Sequence, residues 1–309
     1  MRRVALVPAL AVIGLIPLFA ATKGAPHSKA STGSVHRTFK GIMVAGTDTP
    51  PRSLAAAHAG VVRVNAGRAV SPTRRFLAVG SYVARLEHQG IRPLPLLQQN
   101  PRLTDRQWQR AVGTFARNVP AKFLEIGNEP RPQGWRYYFH LVRLAAPIIH
   151  AHRKMMVLAA PINLDTIRYL GAAKAAGDIF PRVDGVAIHP YASTPYRVQK
   201  LVGEARGIVP WRLPLWITEV GWATGPNQDK GFGGLDVTPS TQASYVTELY
   251  NRLFQRGKSW NLASVGYFIW KDYGPGGRPS NHAGLLRRDG TRKPAYASYA
   301  ARRPVYPQG

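Results

Sequence analysis

The chain has no cysteine, and only 15 acidic residues stand against 42 lysines and arginines. The first absence excludes a disulfide scaffold and any thiolate-bound zinc or iron–sulfur centre. The second gives a formal net charge of +27. It also makes each carboxylate within an apolar segment conspicuous, because a buried carboxylate needs a partner or a raised pKa. Several signatures are missing as well: a G-x-G-x-x-G turn, a P-loop, an H-E-x-x-H helix, an EF-hand loop and a G-x-S-x-G elbow. The motifs therefore call for no cofactor and no metal. The basic residues are scattered singly or in pairs, with no recognition-helix, RNA-recognition or zinc-finger pattern, so specific nucleic-acid binding is not expected. Electrostatic association with an anionic cell-wall polymer suits the charge better, and no stable protein partner is expected.

What remains is a well-provided globular chain. Of 309 residues, 45% are hydrophobic and 10% aromatic, enough to bury a large core. Arg2 and Arg3 precede an uncharged, largely apolar run from Val4 to Ala21, so residues 1–21 read as a signal peptide or an N-terminal anchor. Either reading places the body outside the cytoplasm, secreted or tethered to the cell surface. Residues 22–36 are small and polar without apolar periodicity, and read as a flexible linker to a single domain spanning 37–305.

Within that domain, short apolar runs rich in β-branched residues recur at Gly41–Ala45, Val61–Asn65, Ile91–Leu97, Phe123–Ile126, Met155–Ala159, Val183–His189, Leu215–Val220 and Val265–Trp270. Helical segments are expected between them at Pro72–Gln89, Thr104–Asn118, Gly134–His152, Ile167–Gly177, Tyr196–Gly207 and Ser240–Arg256. A repeat of about thirty residues is the length of one strand, one loop and one helix. Eight such strands predict an α/β chain folded as a single (β/α)8 TIM barrel.

Barrels carry their chemistry where the strands end. Those ends hold Arg63 and Asn65, then Gln98, Gln99 and Asn100, then Asn128, Glu129 and Pro130, followed by His189, Pro190 and Tyr191, Thr218 and Glu219, and finally Trp270, Lys271 and Asp272. Two glutamates facing each other across a barrel mouth suit glycosidic bond cleavage, in which one carboxyl protonates the leaving oxygen and the other attacks or activates water. Glu125, four residues before Glu129, is expected to point into the barrel and pair with an arginine or lysine there.

At this point LEIGNEP (Leu124–Pro130) and WITEVGW (Trp216–Trp222) matter as whole segments. They resemble the two signature strands of clan A glycoside hydrolases, and the likeness in strand order covers about residues 39–300. The resemblance implies a retaining (β/α)8 glycosidase with Glu129 as acid/base and Glu219 as nucleophile. It also implies that Asn128 binds the sugar's 2-hydroxyl, that Arg63 sits beside the nucleophile, and that His189, Tyr191 and Trp270 line the site. Many family 5 members carry a histidine near the end of strand three, where this chain has Gln98, Gln99 and Asn100, so the likeness stays at family 5 or family 39 type. The implied partner is a β-linked poly- or oligosaccharide.

Further expectations come from position and physics. Trp135 and Trp222 lie near the mouth in sequence and are candidate sugar platforms. The glycine-rich segment 223–240 is a candidate mobile rim, and Lys271, Asp272 and Tyr273 open a loop whose polar groups could read hydroxyls. Arg63 should keep Glu219 ionised, while ionised Glu219 should raise the pKa of Glu129. A rival class is a catalytically inactive secreted barrel that binds cell-wall carbohydrate.

Overall fold

The computed structural model describes residues 38–69, 73–130, 134–225, 235–273 and 279–303. The expected signal or anchor, the linker, and the centres of the two rim loops (226–234 and 274–278) lie outside the described residues. In chain order the elements are β1 Phe39–Val44, α1 Pro51–Ala56, β2 Val61–Arg68, α2 Thr73–His88, β3 Arg92–Gln98, α3 Asp105–Asn118, β4 Phe123–Ile126 and α4 Trp135–Ala151. They continue as β5 Met155–Ile162, α5 Asn163–Ala175, β6 Gly185–His189, α6 Pro195–Ile208, β7 Leu215–Ile217, α7 Pro239–Arg256, β8 Leu262–Tyr267 and α8 Pro294–Ala301. All eight strands are parallel and form a closed barrel in sequence order. Closure is visible at Gly41, which is in register with Val61 on one side and Gly266 on the other. The chain is a (β/α)8 TIM barrel.

The period of two along each strand sorts its side chains. Val62 and Val64, Leu124 and Ile126, and Val186 and Ile188 face the helices and join the main core. The alternate positions turn inward, and near the start of the strands Val61, Leu94, Val157, Ala187 and Trp216 make a separate apolar plug. Trp216 fills that plug, fully buried, with its ring centroid 5.0 Å from that of Phe123. A Cβ at Gly185 would come within 2.7 Å of the Trp216 indole nitrogen, so glycine there makes room for the large ring. Above this floor the same inward positions become polar, and Arg63 and Glu125 are the first of them.

The helices follow their local signals. Thr104 and Gln107 form a capping box at the start of α3, which then buries Trp108, Val112 and Phe115 at helical spacing. In α6 and α7 a threonine cap precedes proline in the first turn, at Thr194–Pro195 and Thr238–Pro239. Two short helices, α1 and α8, were not expected. Each opens with proline and is rich in alanine, so neither has an apolar stripe long enough to read. Strand β7 ends at Ile217 and β8 at Tyr267, before the ends of their apolar runs. The residues beyond still bond to the barrel, Thr218 N–H to Ile188 O at 3.2 Å and Trp270 N–H to Met43 O at 3.0 Å.

The plug gives a first test. Trp216→Ala should lower stability by about 3–5 kcal/mol in urea unfolding, because it opens a cavity in the barrel floor. A loss below about 1 kcal/mol would mean that the floor collapses to fill the space.

Candidate active site

Arg63 is built into β2 and is 2% exposed. Its guanidinium donates from Nε to Glu125 Oε2 at 2.5 Å and from Nη2 to Glu125 Oε1 at 3.0 Å, a two-pronged pair. Nη2 also donates to Asn128 Oδ1 at 2.8 Å, and Nη1 donates to Glu219 Oε1. One side chain thus ties β2 to β4 and to the segment after β7. Burial alone would disfavour its charge, but the two glutamates more than offset this and hold the guanidinium firmly protonated. Glu125 meets the expectation of an inward ion pair. That pair is part of the site and not separate from it.

Glu219 is 5% exposed and accepts from two donors, Arg63 and the Tyr191 hydroxyl, the latter at 2.9 Å on Oε2. Burial and the neighbouring Glu219 charge push the Tyr191 phenol well up, so it remains a donor. Glu129 differs in exposure: 35% of its side chain is open. Its Oε1 lies 2.9 Å from Nδ1 of buried His189, whose Nε2 lies 3.0 Å from Thr218 Oγ1 and 3.7 Å from Glu219 Oε1. An oxygen of Glu129, an oxygen of Glu219 and a nitrogen of His189 all fall within 4.8 Å of one another. The geometry of these three would admit a cation. Glu219 is already held by Arg63, however, and both His189 nitrogens have partners, so the site's positive charge comes from its own side chains.

The electrostatics correct one expectation. Burial pushes the Glu129 carboxyl up, yet the His189 hydrogen bond, the His189 charge and Arg63 outweigh it and hold the pKa below the ordinary value. Burial pushes His189 down, yet the Glu219 charge and the bond to Glu129 leave it raised. Glu129 and His189 therefore share one proton, which rests on the histidine side. The charge of Glu219 acts on His189.

Backbone geometry at Glu129 is uncommon. Its φ is +43° and that of Gly127 is +85°, both left-handed. A Cβ at 127 would collide with the Tyr138 ring, so glycine is needed there for space and for φ. Glu129 has neither excuse, and its conformation costs on the order of 1 kcal/mol. The turn is held by Gln99, which sequence reasoning noted but did not place in the site. The Gln99 amide accepts from Asn128 N–H at 2.6 Å and donates to Asn128 O at 2.7 Å. With Asn128 pinned by its backbone and by Arg63, its side-chain NH2 faces no protein partner among the described residues.

The expected aromatic platforms are largely displaced. Trp222 is fully buried, donates its indole N–H to Ala192 O at 3.0 Å and packs on Tyr245, so it has no surface for a sugar. Trp135 donates to Pro130 O at 3.1 Å and lies edge-on to Tyr169, where it buttresses the loop after β4. Trp270 keeps 5% of its surface exposed and packs against Tyr296. Phe268 packs edge-on to Tyr191, and exposed Tyr273 packs on Phe268 in turn. Asp272 is not free to read hydroxyls either. It binds Lys293 Nζ at 2.8 Å and accepts from Gly284 N–H at 2.7 Å.

A cavity of about 470 Å³ adjoins Glu129, with Arg68, Gln98, Gln99, Asn128 and Tyr137 also in its wall. Tyr137 is the α4 aromatic that faces open space, at 36% exposure, whereas neighbouring Tyr138 is buried with its hydroxyl on Ile126 O. No residue of α4 but Tyr137 and Tyr138 borders the cavity beyond the Gly134 cap. A one-residue step round the helix separates them, about 100°, which the linear sequence does not resolve.

Known structures supply the comparison. No family model and no curated protein matches the chain. Among solved structures, the GH53 catalytic domain of Ignisphaera aggregans has a TM-score of 0.64 at 15% identity, with 87% of this chain and 97% of that one covered. A fungal β-1,4-galactanase has a TM-score of 0.65 at 13% identity, covering 86% of this chain and all (100%) of the other. The β-glycosidase BGL167 has a TM-score of 0.61 at 12% identity, covering 86% and 95%. The chain shares the fold of these glycoside hydrolases. At such identities the likeness is one of fold, and the site must be read from its own residues.

The Gln99 clamp is testable. Gln99→Leu should lower kcat about 100-fold with the circular dichroism of the wild type retained, because the turn that carries Glu129 loses its anchor. An unchanged kcat would remove Gln99 from any positioning role.

Proposed function

We propose that the protein is a retaining glycoside hydrolase acting on a β-linked poly- or oligosaccharide, with Glu219 as nucleophile and Glu129 as acid/base. The observation that carries this reading is the pairing of two glutamates with opposite surroundings. An oxygen of each lies within 4.8 Å of the other. That is nearer the about 5–5.5 Å of retaining pairs than the about 6.5–9.5 Å of inverting pairs, which must admit a water between them.

The division of labour follows from the environments. Glu219 is enclosed, with both oxygens held by Arg63 and Tyr191, and so is aimed as an anion at one point. Glu129 is open to solvent and proton-linked to His189, as a group that must give and take a proton needs to be. When Glu219 attacks the anomeric carbon its charge is consumed, and the largest support for protonated His189 disappears. The proton is then released towards Glu129 and the leaving oxygen at the moment that oxygen needs it. In the second half, ionised Glu129 draws a proton from water, which hydrolyses the glycosyl-enzyme with net retention. The free NH2 of Asn128 is placed to hydrogen-bond the 2-hydroxyl.

The structural neighbours include a β-glycosidase and a β-1,4-galactanase, in keeping with a β-linked substrate. A secreted or surface-tethered location would put the enzyme beside such polymers, and its net charge of +27 would hold it near anionic wall material. A catalytically inactive carbohydrate-binding barrel is the weaker reading, since binding alone gives no function to a proton-sharing Glu–His pair.

Two variants test the assignment. Glu219→Gln should abolish turnover of natural and activated substrates alike. Glu129→Ala should lose about 10²–10⁴-fold on a poor leaving group but far less on an activated aryl glycoside, and azide should accelerate it there. Wild-type rates in Glu219→Gln would overturn the reading.

A further inference from the structure

The cavity beside the acid/base has a polarity that the hydrolase reading does not by itself require. Its wall contains Glu129 but not Glu219. In a double displacement the anomeric carbon sits over the nucleophile and the leaving oxygen points to the acid, so a cavity that reaches the acid alone lies on the leaving-group side.

The charges in that wall are unbalanced. Arg68, exposed at the end of β2, makes no hydrogen bond or ion pair to the protein among the described residues. Glu129 is the cavity's only described acid, and its charge is engaged by His189. The Arg68 guanidinium, without a counter-ion among the described residues, favours an anionic ligand in this cavity. Gln98, held by Asn65 at 3.3 Å, adds amide groups to the same wall, and Tyr137 adds a half-open ring. A planar fork beside an aromatic face suits a sugar that carries a carboxylate: the guanidinium pairs with the carboxylate and the ring takes the sugar's C–H face.

We propose that this cavity is the leaving-group subsite and that it takes a uronic acid residue, with Arg68 as counter-ion and Tyr137 as platform. The proposal rests on the hydrolase reading and narrows its substrates to β-linked glycans with a uronate on the leaving side of the cleaved bond.

The test is an NMR titration with methyl glucuronoside and methyl galacturonoside against methyl glucoside and methyl galactoside, at fixed ionic strength. At least one uronoside should bind wild type about tenfold or more tighter than its neutral counterpart. Arg68→Gln should bring the two within about twofold, whereas Arg110→Gln, an exposed change on α3, should leave the preference intact. Equal binding by wild type, or a preference that survives in Arg68→Gln, would overturn the proposal. So would tighter binding of the 6-sulfated neutral sugar, which carries charge without the planar carboxylate. Binding is read without turnover, so a chain that cleaves glycosides but fails this titration loses only the uronate subsite. A chain inert on every glycoside loses the hydrolase reading itself.

Discussion

The buried guanidinium of Arg63 is the constraint around which the upper barrel is arranged. Its donors reach Glu125 on β4, Asn128 in the turn beyond it and Glu219 beyond β7. A cation 2% exposed would be untenable without them, and two inward carboxylates would be equally untenable without it. The cluster therefore forms as a unit or not at all. Because Arg63 and Glu125 sit on strands and hold Glu219 and Asn128 just beyond two others, Glu219 is fixed in position before any ligand arrives, the preorganisation that its proposed role as nucleophile would require. Removing either partner would leave a charge stranded inside the barrel.

The second layer is mobile in protons and fixed in geometry. His189 joins the two glutamates, bonded to Glu129 at 2.9 Å and 3.7 Å from Glu219. Through it the charge of Glu219 is linked to the proton at the Glu129–His189 contact. Gln99 holds the backbone on which Glu129 adopts a left-handed φ, so the cost of that conformation is met by two short hydrogen bonds from a neighbouring strand end. The loop after β8 is secured in the same manner, with Lys293 bonding Asp272, Thr224 and His282 O.

How much of this was legible in the sequence depends on the range of the interaction. The barrel was, because each strand repeats an apolar run and the six longer helices a stripe, and both are local signals; α1 and α8 are too short to carry one. Arg63, Glu129, His189, Tyr191 and Glu219 were also legible as a group, since each is a polar residue at the end of an apolar strand; Glu125 was legible only as an inward ion pair, and its bond to Arg63 joins it to the site. The aromatics were not. Trp222 and Trp135 are near the mouth along the chain, but one step of backbone rotation turns each into packing, and Tyr137 is turned outward by the same geometry. The direction of the Glu129 pKa was hidden too, because it depends on a contact between residues 129 and 189 that no spacing reveals.

Stereochemistry tests the central claim most directly. Proton NMR of the first anomer released from a β-glycoside that the protein cleaves would report it before mutarotation. The close glutamate pair and the anchored nucleophile predict the β-anomer, formed by two displacements. The α-anomer as first product would mean a single displacement by water, and would contradict the assignment of Glu219 as nucleophile.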